Sequence, residues 1–237
     1  EVAAARREAA AGEAGAGGVP SGEPSAGAGA EASLADEAVP IEVSAAAMDG
    51  DEAAVLSWLD SGGRANATYM VVDGGQEVSG CTLLHIAAGC GHARLVSTLL
   101  RRGAEINHQN SVGSTAFLLA ASNGHARLVS TLLRRGAEIS HQNRFGNTAL
   151  SLAALNGRER VADLLIRHGA DINHQGGDGL TALLLAAFSN HPAVILRLLR
   201  AGADTTLRTA SGKTALQCSK EQGSTECVRV LKEHAAA

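Results

Sequence analysis

A period of 33 residues governs most of this chain and restricts its fold more than any other feature. Thr82, Thr115, Thr148, Thr181 and Thr214 are each 33 residues apart, and Gly80, Gly113, Gly146, Gly179 and Gly212 keep the same spacing. Gly103, Gly136, Gly169 and Gly202 do so as well, each followed by Ala and then Glu or Asp. Residues 91–106, GHARLVSTLLRRGAEI, recur without change at 124–139. A unit this short cannot bury an apolar face alone, so neighbouring units must stack to share one core.

Each unit reads as two short helices and a turn. The threonine is placed to cap the first helix, its hydroxyl accepting a backbone N–H. Leu84, Ala87 and Ala88, or Leu118, Ala120 and Ala121, give that helix an apolar face. Asn123-Gly124 and Asn156-Gly157 suit a left-handed terminus. The second helix carries Leu95, Val96, Leu99 and Leu100 at helical spacing and stops at Gly103. In one unit Pro192 follows His191 at a second-helix start, where the missing N–H is tolerated. Residues 104–113 have isolated apolar side chains among turn formers, which predicts an extended, hairpin-like loop.

At these residues the chain resembles the ankyrin repeat. The stretch 82–110, TLLHIAAGCGHARLVSTLLRRGAEINHQN, is similar to that family's T-P-L-H start, A-A, G-H, L-L, G-A-D and N. The resemblance implies an all-α repeat solenoid of stacked helix-turn-helix units with β-hairpin-like loops. On this reading residues 39–237 form the repeat domain: an N-terminal cap unit 39–81, full units 82–114, 115–147, 148–180 and 181–213, and a C-terminal cap unit 214–237. Trp58 replaces a helix leucine in the first cap. Charged and polar residues from Lys220 to Glu233 mark the last. No unit has proline after the threonine. The family's histidine occurs only at His85; Leu118, Ser151, Leu184 and Gln217 replace it, which predicts one lost hydrogen-bonding option in those units. Glu105, Glu138, Asp171 and Asp204 take the family's acidic turn position, a structural one.

Two segments depart from the period. Asn66 to Gly80 spans 14 residues where Asn107 to Gly113 spans 6, so the first loop has an insertion of 8 that includes Tyr69, Met70, Val71 and Val72. Residues 1–38, rich in Ala, Gly, Glu, Pro and Ser, lack the large apolar side chains that offset the entropy of ordering and are expected to be disordered.

Charge and composition exclude some functions. Residues 1–40 carry a net −5 and residues 41–237 a net +1, without the basic excess of a nucleic-acid binder. No apolar run reaches the roughly 18 residues of a membrane-spanning helix. Cys81, Cys90, Cys218 and Cys227 form no C-x-x-C pair, which predicts reduced thiols, a cytoplasmic or nuclear location and no structural zinc. A chain that begins at Glu1 is also compatible with a fragment or a processed product.

No grouping of Ser, His, Asp or Cys has the spacing of a shared catalytic site. His108, His141 and His174 share one loop position, yet stacked repeats sit roughly 10 Å apart and zinc needs ligands at about 2.0–2.3 Å. His92, His125 and His191, at second-helix starts, read as structural. Arg101, Arg134, Arg167 and Arg200, joined by Arg94, Arg127 and Arg160, form a ladder on the second helices, with a solvated face as its simplest reading.

A binding surface remains. In stacked repeats the loop tips and first-helix ends line an extended concave face, and here those positions vary while the scaffold recurs. The candidate contacts are Ser111, Val112, Ser122, Asn123, Arg144, Phe145, Leu155, Asn156, Asp178, Leu180, Phe188 and Ser189. Phe145 and Phe188 are expected to be exposed there, and only Phe117 to be core. The resemblance implies a non-catalytic module that recognises a protein or peptide. The expected protein is a monomer without cofactor, metal, nucleic-acid or membrane partner. A targeting fragment of a larger enzyme, such as a ubiquitin ligase or kinase, and an anionic ligand on the arginine ladder are the alternatives. The resemblance also implies candidate substrates for asparagine hydroxylation at Asn107 and Asn173, with Ser140 in the equivalent place between them.

Overall fold

The computed structural model describes residues 38–73 and 76–235. Residues 1–37 of the tail expected at 1–38 lie outside the described residues. The helices are α1 (Ile41–Asp49), α2 (Glu52–Asp60), α3 (Leu83–Gly89), α4 (Ala93–Arg101), α5 (Ala116–Asn123), α6 (Ala126–Arg134), α7 (Ala149–Leu155), α8 (Glu159–Arg167), α9 (Ala182–Phe188), α10 (Pro192–Arg200), α11 (Ala215–Glu221) and α12 (Thr225–Ala235). Two strands, β1 (Thr68–Asp73) and β2 (Gln76–Thr82), lie between α2 and α3. The fold is an all-α repeat solenoid with one small sheet. Two compact units divide the chain at residues 120 and 121, within α5.

In the first unit α1 packs on α2 and α3, and α3 on α4. Every residue of α3 is buried, whereas α4 buries Leu95, Val96, Thr98 and Leu99 and leaves its arginines outside. The segment that carries the insertion forms a pair of strands rather than an irregular loop. Strands β1 and β2 are antiparallel, pairing Tyr69 with Cys81 and Val71 with Val78 around an irregularity between Tyr69 and Val71. Its physical basis is the β-branched side chains, since Val71 and Val78 are buried. Ala38, the last residue of the expected tail, pairs in parallel with Thr68. The loop at 110–114 is closed by a turn: Asn110 Oδ1 accepts the N–H groups of Val112 at 3.2 Å and Ser114 at 2.9 Å.

In the second unit α9 packs against α7, α10 and α11, while α8 packs against α6, α7 and α10. All seven residues of α7 and of α9 are buried. Ala153, Ala154, Ala186 and Ala187 present almost no bulk where these helices meet, which permits their close approach. Phe117, expected as core, is fully buried in the first unit.

The loop tips of the second unit are built in two ways. Asn143 Oδ1 accepts from the backbone of Phe145 and Asn147, both at 3.0 Å. Gly176 stands one period later, and Gln175 Nε2 instead donates to the Gly179 carbonyl at 3.1 Å. A Cβ at Gly176 would lie 2.5 Å from the Gly146 carbonyl oxygen, a backbone atom that cannot step aside cheaply. Restoring the repeat pattern with Gly176→Asn is therefore expected to lower stability by about 1–3 kcal/mol, as overpacking does. Urea denaturation checks the sign; a raised midpoint contradicts it.

Candidate partner-binding face

The threonines cap the first helices through partners that differ between units. Thr82 N–H and its hydroxyl meet His85 Nδ1 at 3.1 and 2.9 Å, and His85 Nε2 meets the Ser114 carbonyl at 3.0 Å. Nδ1 thus accepts and Nε2–H donates. Complete burial pushes this histidine down to about 4. Thr148 N–H donates to Ser151 Oγ at 2.8 Å, and Thr214 N–H to Gln217 Oε1 at 2.9 Å. The expected loss of a hydrogen bond where histidine is replaced is thus corrected at Ser151 and Gln217, whose oxygens reach the same N–H. At Leu118 and Leu184 only the threonine hydroxyl acts, accepting their N–H groups.

Second-helix starts tie successive repeats together. His92 Nε2 meets the Met48 carbonyl at 2.6 Å and His191 Nε2 the Leu155 carbonyl at 3.0 Å. Arg158 does the same work, its Nε–H donating to the Ser122 carbonyl at 2.9 Å. Sequence reasoning passed over Arg158; its place in the period of His92, His125 and His191 was the available signal. Gly157 must be glycine on two counts, a φ of +65° and the His191 ring 2.6 Å from where a Cβ would sit. His108 and His174 each place Nε2 3.2 Å from the carbonyl of Gly80 or Gly146, so both are loop braces. Among the described residues no group of His, Cys, Asp and Glu is arranged to hold a metal ion.

The variable positions divide sharply. Val112, Ser122, Leu155 and Phe188 are buried, with 5%, 0%, 5% and 6% of their surface exposed. The expectation that Phe188 and Leu155 stand in water is corrected. They are the last residues of α9 and α7, first helices enclosed along their whole length. Leu155 packs with Leu185 and Leu180. Ser122 is occupied by the next repeat, its hydroxyl accepting from Asn156 Nδ2 at 2.8 Å. Arg144 and Asp178 are exposed, and neither makes a side-chain hydrogen bond or ion pair to another described residue. Ser111, Asn123, Phe145, Asn156, Leu180 and Ser189 are half-buried. Ser111 is engaged with the hairpin, its Oγ accepting from Ser79 N–H at 3.0 Å.

The remaining candidates fall outside this face. Arg94, Arg101, Arg127, Arg134, Arg160, Arg167 and Arg200 are all exposed. Asn173 Oδ1 accepts from Asp204 N–H at 2.8 Å, and Asn66, the counterpart of Asn107 in the first unit, does the same for Glu105 at 2.8 Å. Asn107 is half-buried. The four cysteines are free thiols. Burial pushes Cys81 up to about 11 and raises Cys90 and Cys227, the opposite of a poised thiolate nucleophile.

Capped helix pairs, carbonyl braces between repeats and variable loop tips define a tandem helical-repeat protein whose scaffold and surface are set by different residues. The family model for ankyrin repeats (3 copies) matches residues 43–143, 84–176 and 117–209, and the chain belongs to the ankyrin repeat family. Members of this family are generally protein–protein interaction modules and generally non-catalytic. A comparison with curated proteins finds no match. Among the described residues no helix is long and apolar enough to cross a membrane.

Proposed function

We propose that this chain is a non-catalytic module that binds a protein or peptide through loop tips and first-helix ends of residues 121–235. The carrying observation is the division of labour among the variable residues. Arg144 and Asp178 are exposed and unbonded to described residues, with the half-buried Phe145, Leu180 and Ser189 on neighbouring loop and helix ends. Phe145 is the anchor and Arg144 and Asp178 orient the partner. Val112, Ser122, Leu155 and Phe188 leave the contact set because they are core. The four free thiols support a reducing compartment, cytoplasm or nucleus, and a monomer is the working state.

Capture of a partner with the full chain, followed by titration, tests this reading. Phe145→Ala is expected to cost about 2 kcal/mol, the scale of a hot spot, or roughly thirtyfold in affinity, while Arg200→Ala, exposed on the second-helix layer, binds as wild type. A folded Phe145→Ala that binds the captured partner normally sinks the assignment. The family resemblance also supports hydroxylation of Asn107 and Asn173. Peptide mass analysis after exposure to an asparagine oxygenase is expected to find added oxygen there and none at Ser140.

A further inference from the structure

One groove on the second-helix layer of residues 121–235 has an unfilled counterpart to an internal ion pair. Between α8 and α10, Arg197 reaches back and donates to Glu159 at 2.9 Å and to Asp163, so its guanidinium occupies the space between the helices. One period earlier, between α6 and α8, the equivalents of Glu159, Asp163 and Arg197 are Ala126, Ser130 and Leu164. No side chain fills that space. A groove of about 440 Å³ lies open there, lined by Ala126, Arg127, Ser130, Thr131, Arg134 and Leu164.

The lining has a definite chemistry. Leu164 and Ala126 are the groove's apolar lining. Arg127 and Arg134 are exposed, and no carboxylate lines the groove. Arg134 donates to Thr131 Oγ1 at 3.3 Å, which holds its guanidinium along the helix, and Arg127 makes no side-chain bond to another described residue. The two arginines are seven residues apart on one helix, roughly 10 Å at the α-helical rise. In the sibling groove the basic group is met by two carboxylates supplied from within. Here the basic groups are present and their acidic complement is not.

We infer that the α6–α8 groove is a docking site for an acidic peptide segment of a partner protein. Such a segment has two carboxylates about two helical turns apart, roughly 10 Å, and an apolar side chain between them. The carboxylates pair with Arg127 and Arg134, and the apolar side chain covers Leu164. Charge complementarity gives orientation and on-rate, and the apolar contact separates this site from general attraction to anions. The site is distinct from the loop-tip face and does not depend on it.

The probe is a fluorescein-labelled helical peptide with two glutamates seven residues apart and leucine between them, titrated by anisotropy into the full chain at low ionic strength. Versions with lysine for glutamate, and with alanine for leucine, serve as comparisons. Wild type is expected to bind the glutamate–leucine peptide at least tenfold more tightly than either. Arg127→Glu with Arg134→Glu is expected to weaken binding at least tenfold. The transplant Ala126→Glu, Ser130→Asp and Leu164→Arg rebuilds the sibling ion pair and is expected to fold, by circular dichroism, and to lose binding to the same degree. Arg94→Glu with Arg101→Glu, on the identical helix α4, and Phe145→Ala are expected to leave binding unchanged. Absence of binding to wild type overturns the inference. So does equal binding of the leucine-free peptide, which signals diffuse anion attraction, or an equal loss in the α4 pair. Loss in Phe145→Ala places the peptide on the loop-tip face and overturns it as well.

Discussion

Replacing Phe188 by alanine is expected to destabilise the second unit by about 3–5 kcal/mol, the range for removing a buried phenylalanine. The reason is position. Phe188 ends α9, a helix in which every residue is buried, and only 6% of its own surface is exposed. Truncation leaves a cavity that flanking helices fill only in part. Leu196 lies on the following helix with 37% of its surface exposed, and Leu196→Ala is expected to change stability by about 0.5 kcal/mol or less, as surface substitutions do. Urea denaturation of both variants decides between core and contact. A Phe188→Ala protein as stable as wild type would return this residue to the surface and to the candidate partner contacts.

Acidification is expected to weaken the first unit through His85. Its folded value is about 4 against 6.5 for the free side chain, so between those limits the unfolded chain binds more protons than the folded one. Stability is then complete above about pH 6.5 and falls as pH drops toward 4, by about 3 kcal/mol in all. The cause is geometric as well as solvational. Nδ1 accepts from Thr82, and a proton there removes the cap. His191 is shifted in the same direction, chiefly by burial, and acts over the same side of the range. Gln217 already accepts from Thr214 N–H with an uncharged oxygen, so His85→Gln is expected to keep the cap and lose much of the acid sensitivity. His85→Ala forfeits the cap and the bond to Ser114 and is expected to cost about 2–4 kcal/mol at neutral pH. Denaturation at pH 7.5, 5.5 and 4.5 reads both effects; identical pH slopes for wild type and His85→Gln would show that His85 does not titrate in this way.

How far the chain could be read in advance depended on how local the determining interaction is. The capping threonines, the glycine terminators and the apolar spacing of the second helices act within a few residues, and a strict period repeats them. The helix pairs and the family were therefore legible in the residues alone. The hairpin was seen only as eight surplus residues, because strand pairing depends on Val71 and Val78 finding a buried surface. Arg158 holds the period of His92, His125 and His191, but an arginine there does not resemble its neighbours, and what it does emerges from its bond to the Ser122 carbonyl, 36 residues away in sequence.

The sequence by itself determined the repeat, its helices and its caps, and showed which positions vary between units. Only the tertiary structure decided which variable positions meet solvent. Leu155, Phe188, Ser122 and Val112 vary as freely as Arg144 and Asp178, yet the first four are core and the last two are exposed. The tertiary structure likewise decided that Arg197 fills one groove while Leu164 leaves its neighbour open. Exposure is a sum over side chains that lie about one period away in sequence but adjacent in space, and a period of local signals carries no record of that sum.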